Sequence, residues 1–289
     1  MNALGKTKEA FHIILFFSLA LLGATSCDFA SQSDFRSATS PAATQPPTPQ
    51  AVYPPQVANP TPSLSVELPR PSSAENMVVC PNFNTLPGID TSGHQPNIQW
   101  SSVQKAGQVY GYVKATEGLT FANTAFLNDW SIIRTVGMAR GAYHYFHASD
   151  DPVDQANFFL SAIGSMVDDD LPPALDWEVD DNAGMQANIQ GALIWLDTIE
   201  RATGKTPLIY TTARFFNKLG NPIEFARYPL WIAETEVICP KIPPPWRNYA
   251  IWQWSMRHVS GVKTVVDLDL FNGSNDQLDR FTHNGTLSR

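Results

Sequence analysis

Eight short strand-like segments, with helix-like periods mostly between the early ones, set the strongest limit on what this chain can fold into. They fall at 88–90, 109–114, 141–146, 174–178, 208–210, 230–233, 250–254 and 265–268. Helix-like stretches lie at 122–136, with apolar Phe126, Trp130 and Ile133, and at 152–163, with Phe158, Phe159 and Ile163. A third covers 187–203, with Ile194, Leu196 and Ile199. After about residue 235 no convincing helix separates the last strands. Strands that alternate with helices build a parallel sheet, and eight of them suffice to close it. The expected fold is therefore α/β, a TIM-like barrel whose final part has lost its helices. An apolar fraction of 43%, with eight Trp and sixteen Phe, is ample for its core.

Active sites in such barrels sit where the strands end. Four acids fall at or beside strand ends here. Asp90 closes Pro87-Gly88-Ile89-Asp90, Asp176 and Glu178 close Ala174-Leu175-Asp176-Trp177-Glu178, and Asp267 lies in Val265-Val266-Asp267-Leu268-Asp269. In a strand, side chains at i and i+2 share a face, so Asp176 and Glu178 would enter one pocket while Leu175 and Trp177 face away. At roughly 6–7 Å separation the two carboxylates repel each other's ionisation, and one becomes able to act as a general acid while the other stays charged. A lone pair of this kind is more often a strand end with solvated acids. Four inward carboxylates are costly unless they take part in chemistry.

A net charge of −8 without a Lys/Arg cluster argues against nucleic-acid binding. Zinc-type Cys/His spacing, a phosphate-binding loop and a dinucleotide fingerprint are all missing, so neither a metal nor a cofactor is expected. His144 and His147 have no third ligand at suitable spacing and are read as structural. Lys114, Thr116 and Glu117 follow a strand end and are expected to pair and shape the cleft. Tyr145, Tyr210, Trp231 and Trp254 are strand aromatics, suited to a core or to stacking on sugar faces. The polar Gln253 in an apolar strand either faces the pocket or satisfies a buried partner. Tyr145, Tyr210, Trp231 and Gln253 are taken as the substrate-binding set.

Residues 1–27 read as an export signal, because Lys6 and Lys8 precede an apolar run at 13–23 that is too short to remain as a membrane span. The run leads into Ala24-Thr25-Ser26-Cys27, which resembles a bacterial lipobox with Cys27 as the lipidated residue. This places the protein outside the cytoplasm, anchored to a membrane by lipid and facing the periplasm or cell surface, with plain secretion as the alternative. Residues 28–83 read as a disordered Pro/Ser/Ala-rich linker, the composition shift being strongest up to about Asn76. With Cys27 lipidated, Cys80 and Cys239 are left as an even pair in an oxidising compartment, open to a disulfide that would contribute up to ~5 kcal/mol.

The segments GIDTS at 88–92, VKATEG at 113–118, GAYHYFH at 141–147, ALDWE at 174–178, PLIYT at 207–211, PLWIA at 229–233, IWQWS at 251–255 and VDLDLFNG at 266–273 resemble, in that order, the glycoside hydrolase family 25 lysozymes, the Chalaropsis-type muramidases. That family commonly has Asn where Asp269 stands, and its conserved-pattern Asp aligns with Asp267. The resemblance implies a modified (β/α)5β3 barrel over 84–289 and retaining hydrolysis of the β-1,4 bond between N-acetylmuramic acid and N-acetylglucosamine in peptidoglycan glycan strands. It assigns Glu178 as general acid and then base, and Asp176 as the group that either orients the substrate's 2-acetamido group or attacks the anomeric carbon itself. Asp90 and Asp267 would hold the site's hydrogen bonds and raise the pKa of Glu178 by repulsion. A non-catalytic module that binds wall glycan and a chitinase-like hydrolase are the alternative readings.

Overall fold

Period-two alternation in the strands sorts their side chains into an interior and an outer layer, and the computed structural model, which describes residues 75–286, shows both. The export signal, Cys27 and most of the linker lie outside the described residues. Strands β1 (Leu86–Thr91), β2 (Tyr110–Glu117), β3 (Ala139–Tyr145), β4 (Ala174–Asp176), β5 (Leu208–Thr211) and β6 (Leu230–Ala233) pair in parallel, in chain order. Strand β7 (Ile251–His258) joins β6 in parallel. Strand β8 (Val265–Phe271) runs antiparallel to both β7 and β1 and closes the barrel. The barrel is thus mixed at its seam rather than parallel throughout. Asp267 therefore reaches the mouth from near the start of its strand, not from the end.

Helices α1 (Trp100–Lys105), α2 (Phe126–Thr135), α3 (Pro152–Ile163), α4 (Met185–Thr203) and α5 (Ala213–Lys218) each follow one of the first five strands. No α-helix separates the last three strands, and α6 (Asn275–Asn284) follows β8. The start of α3 is set locally: Asp151 accepts from the backbone N–H groups of Val153 and Asp154, each at 2.9 Å, and Pro152 occupies the first turn. The two six-residue helices α1 and α5 are under two turns long, too short for a legible period. In α6 only Leu278, Phe281 and Thr282 are buried, so its pattern is mostly polar. Ile194, expected in the buried stripe of α4, is 43% exposed, because that stripe runs through Asn188, Ala192, Trp195, Leu196 and Ile199.

The outer layer packs strand residues such as Ile89, Val113, Ala142, Leu175 and Ile232, with Trp177 just beyond β4, against the helices. The barrel interior is aromatic, with Tyr110, Tyr112, Tyr143, Trp231 and Phe271. Two glycines make room for it. A Cβ on Gly88 would lie 2.3 Å from the Tyr110 ring, and one on Gly141 would lie 2.2 Å from the Tyr112 ring.

Residues 77–82, placed in the linker by composition, are held against the barrel. Met77–Val78 pairs with Lys241–Ile242, the Cys80 and Cys239 sulfurs are bonded, and the Asn82 N–H donates to Asn272 Oδ1 at 3.0 Å. The short run Met77-Val78-Val79-Cys80-Pro81-Asn82 carries no local sign of a partner strand 160 or so residues away, so composition groups it with the linker that precedes it.

Candidate active site

The ladder that carries Asp176 ends there, and Glu178 lies beyond the strand rather than in it. Extended geometry nevertheless continues for one more residue, because the Trp177 N–H donates to Tyr210 O at 2.9 Å. Leu175 and Trp177 face outward and are fully buried, with Trp177 packed among Phe215, Phe216 and Phe225. Its indole donates to Asn188 Oδ1 at 3.2 Å, and Asn188 Nδ2 donates in turn to Asp180 O at 3.0 Å, which ties the loop after Glu178 to the start of α4. Asp181 pins the same loop from the other side by accepting from the Ala148 N–H at 2.8 Å.

A cleft of about 320 Å³ opens at this mouth, and Asp90, Asp176, Glu178 and Asp267 all line it. Tyr145, Tyr210, Trp231 and Gln253 line it too. A larger cavity of about 930 Å³ lies on the barrel's flank between α4 and the loops at 219–224 and 242–247. None of the four acids reaches it, so size alone does not locate the chemistry.

Of the four acids, Asp90 is tied into a hydrogen-bond network. Gln253 donates through Nε2 to Asp90 Oδ2 at 2.8 Å and accepts from the Tyr210 hydroxyl at 3.0 Å. Asp90 and Asp267 are direct cross-strand partners. Burial, then the charge of Asp267, pushes Asp90 up to about 8 against the donors Gln253 and Asp269. Burial pushes Asp267 up to about 6. Asp176 is held well above the usual carboxylate range by burial and then by Glu178, while Lys114 opposes both. Glu178 is raised too, chiefly by burial with a further push from Asp267, again against Lys114. The repulsion expected from Asp90 and Asp267 is thus the smaller cause at Glu178, because desolvation of a carboxyl in this mouth outweighs it. The mouth binds protons readily. Asp176 Oδ1 is buried with no hydrogen-bond partner in the protein.

The pattern of glycosyl hydrolases family 25 matches residues 89–262, more than half of the chain. The chain belongs to this family. It is 34% identical over 210 residues to the uncharacterized protein YegX of Escherichia coli K12, covering 70% of this chain and 75% of that protein. Lysozyme M1 of Streptomyces globisporus is 32% identical over 209 residues, 68% of this chain and 71% of its own length. The crystal structure of the bacterial lysozyme from Streptomyces coelicolor superposes with a TM-score of 0.67 at 30% identity, covering 71% of this chain and all of that one. Family 25 membership makes the chain a glycosidase.

In this family 25 barrel the cleft also holds Tyr143, which the strand patterns did not single out. Tyr143 lines the cleft beside Tyr145, as its place two residues earlier in β3 could have indicated. Lys114 is the cation of the cleft; it bonds Glu117 and lies 4.5 Å from the Tyr145 ring centre. Thr116 does not join them. A bulge between Lys114 and Thr116 turns Thr116 outward to His144, 2.7 Å from Nδ1, and His144 Nε2 lies 3.1 Å from Gln155 Oε1. His147 bridges Asp181 at 3.1 Å and Glu117 at 3.4 Å on the rim, and these acids raise its pKa although burial works against it. Trp254 packs on the outer core and does not line the cleft.

Proposed function

We propose that the protein is a muramidase that cleaves peptidoglycan with retention, using Glu178 as acid and base and Asp176 to orient the substrate's own acetamido group. One observation carries the role of Asp176: its buried Oδ1 is an acceptor without a donor, beside the acid Glu178. An unpaired buried acceptor costs about 1–3 kcal/mol, and an acetamido N–H from the sugar relieves it. Glu178, at the mouth, gives its proton to the glycosidic oxygen as the bond to the anomeric carbon breaks. The acetamido oxygen, aligned by Asp176, forms a bond to that carbon from the opposite face. Glu178, now a carboxylate, takes a proton from water, and the water oxygen displaces the acetamido oxygen. Two displacements restore the β-configuration.

Digestion of purified peptidoglycan and chitin in parallel, followed by NMR before mutarotation, tests this reading. Muramic acid reducing ends in the β-form are expected from peptidoglycan. An initial α-anomer contradicts retention, N-acetylglucosamine ends contradict the bond assignment, and binding without cleavage leaves a glycan-binding module.

We further propose that the barrel works outside the cytoplasm on a lipid tether. Support comes from the basic and apolar run before Ala24-Thr25-Ser26-Cys27 and from the Pro-rich stretch after it. A coil of about fifty residues reaches roughly 40 Å, enough to concentrate the barrel near its polymer. Cys27→Ser is expected to move the protein from the membrane fraction to the soluble one with unchanged specific activity. A mature N-terminus downstream of Cys27 without lipid, read by mass spectrometry, argues for plain secretion.

A further inference from the structure

Glu178 stands on a loop rather than in a ladder, so contacts other than strand pairing have to hold it. Three residues later Asp181 is engaged at both oxygens: Oδ2 accepts from the Ala148 N–H at 2.8 Å, and Oδ1 lies 3.1 Å from His147 Nδ1. The other ring nitrogen of His147, Nε2, lies 3.4 Å from Glu117 Oε1 at the end of β2. Glu117 uses its second oxygen, Oε2, to bond Lys114, whose ammonium lies 4.5 Å from the Tyr145 ring centre in the cleft. A continuous line of polar contacts thus runs from the Glu178 loop to the cation of the cleft, with His147 as its middle link. A neutral imidazole has one N–H and one lone pair, whereas an imidazolium donates from both nitrogens. Both nitrogens of His147 face carboxylates that also accept from other donors, so a neutral ring would turn its lone pair on one of them.

We infer that His147 is a positioning residue of this cleft: as an imidazolium it clamps the loop that carries Glu178 to the strand end that carries Lys114, and so fixes the general acid relative to the cation. The inference rests on the reading of Glu178 as the hydrolytic acid. Besides Asp181 and Glu117, the groups around the ring are Tyr145, with ring centres 5.4 Å apart, the buried His144 of β3, Lys114 beyond Glu117, and Asp150, whose N–H donates to His147 O at 3.2 Å. The side chain is 29% exposed, so it exchanges protons with solvent. Burial works against its charge and the two acids outweigh burial, which raises its pKa. The clamp is therefore complete at low pH and is lost as pH rises through that raised value. His147 acts through Asp181 and Glu117 and touches no reacting atom.

His147→Gln imitates the neutral ring at every pH, since it can donate but carries no charge. Below the His147 titration the ratio of wild-type to variant kcat on peptidoglycan is expected to be about fivefold, the size of one partly exposed charge-assisted hydrogen bond. Above it the ratio is expected to fall towards one, because the wild type has then lost the clamp as well. The alkaline fall set by Glu178 itself is common to both enzymes and divides out. A ratio that stays constant with pH would make His147 merely structural and overturns the inference, as does a ratio of one throughout. A second measurement needs neither substrate nor the variant enzyme's activity. In ¹⁵N NMR of the wild type, both ring nitrogens of His147 are expected to be protonated below a midpoint that lies above the ordinary value of about 6.5. The backbone amides of residues 179–183 are expected to shift with the same midpoint, and to show no such step in His147→Gln. A His147 midpoint at or below about 6.5, or loop amides that do not follow it, overturns the clamp whatever the protein hydrolyses. A clamp seen in these spectra without cleavage of peptidoglycan at any pH counts instead against the hydrolytic reading of Glu178.

Discussion

Gln253 holds Asp90 across the barrel, donating to its Oδ2 at 2.8 Å from a strand 163 residues further along the chain. The amide is oriented by its other end, which accepts from Tyr210. Three strands thereby share one chain of hydrogen bonds directly under the cleft, and the position of each polar atom depends on the next.

Removal of that amide has a defined consequence. Gln253→Leu deletes a donor that lowers the Asp90 pKa and leaves the Tyr210 hydroxyl without its acceptor. The Asp90 titration, followed by ¹³C NMR, is expected to move up, and kcat to fall about 10- to 100-fold. An unmoved titration would show that Gln253 does not set the state of Asp90.

The paired acids at the end of β4 should separate by kinetics. Glu178→Gln cannot donate a proton and is expected to lower kcat by about 10²–10⁴ in a folded protein. Asp176→Asn weakens a contact made mainly in the transition state, so turnover is expected to drop far more than glycan affinity measured by calorimetry. Wild-type turnover in Glu178→Gln would remove it from the acid role, and equal losses of turnover and affinity in Asp176→Asn would make Asp176 a plain binding residue.

Stability should carry the signature of the buried acids. Asp90 at about 8 keeps a proton that the unfolded chain releases near pH 4. Between those values the folded state binds more protons, so the contribution of Asp90 to stability falls as pH rises from about 4 to about 8 and then levels off. Asp267, at about 6, acts in the same direction over the lower part of that window. Asp90→Asn removes the larger effect. Denaturant unfolding is expected to show it more stable than wild type at pH 8, on the order of a few kcal/mol, and little changed at pH 4, at the cost of activity. A wild-type pH dependence in this variant would show that Asp90 is not held protonated by the fold.

The sequence by itself determined the order of the eight barrel strands, the lack of helices between the last three, and the inward direction of Asp90, Asp176, Tyr145 and Gln253, because alternation along a strand is a local property of the backbone. Helix α3 was legible to the residue, since its Asp-Pro start and apolar stripe lie within a dozen positions. Tertiary structure alone decided the rest. The antiparallel seam puts Asp267 opposite Asp90, the end of β4 leaves Glu178 on a loop pinned by Asn188 and Asp181, and the bulge in β2 sends Thr116 outward while Lys114 stays in the cleft. Which acids keep their protons was also decided there. Burial is the largest cause at Asp90, Asp176, Glu178, Asp267 and Asp269, and it arises only when residues far apart in the chain close the barrel around them and exclude water.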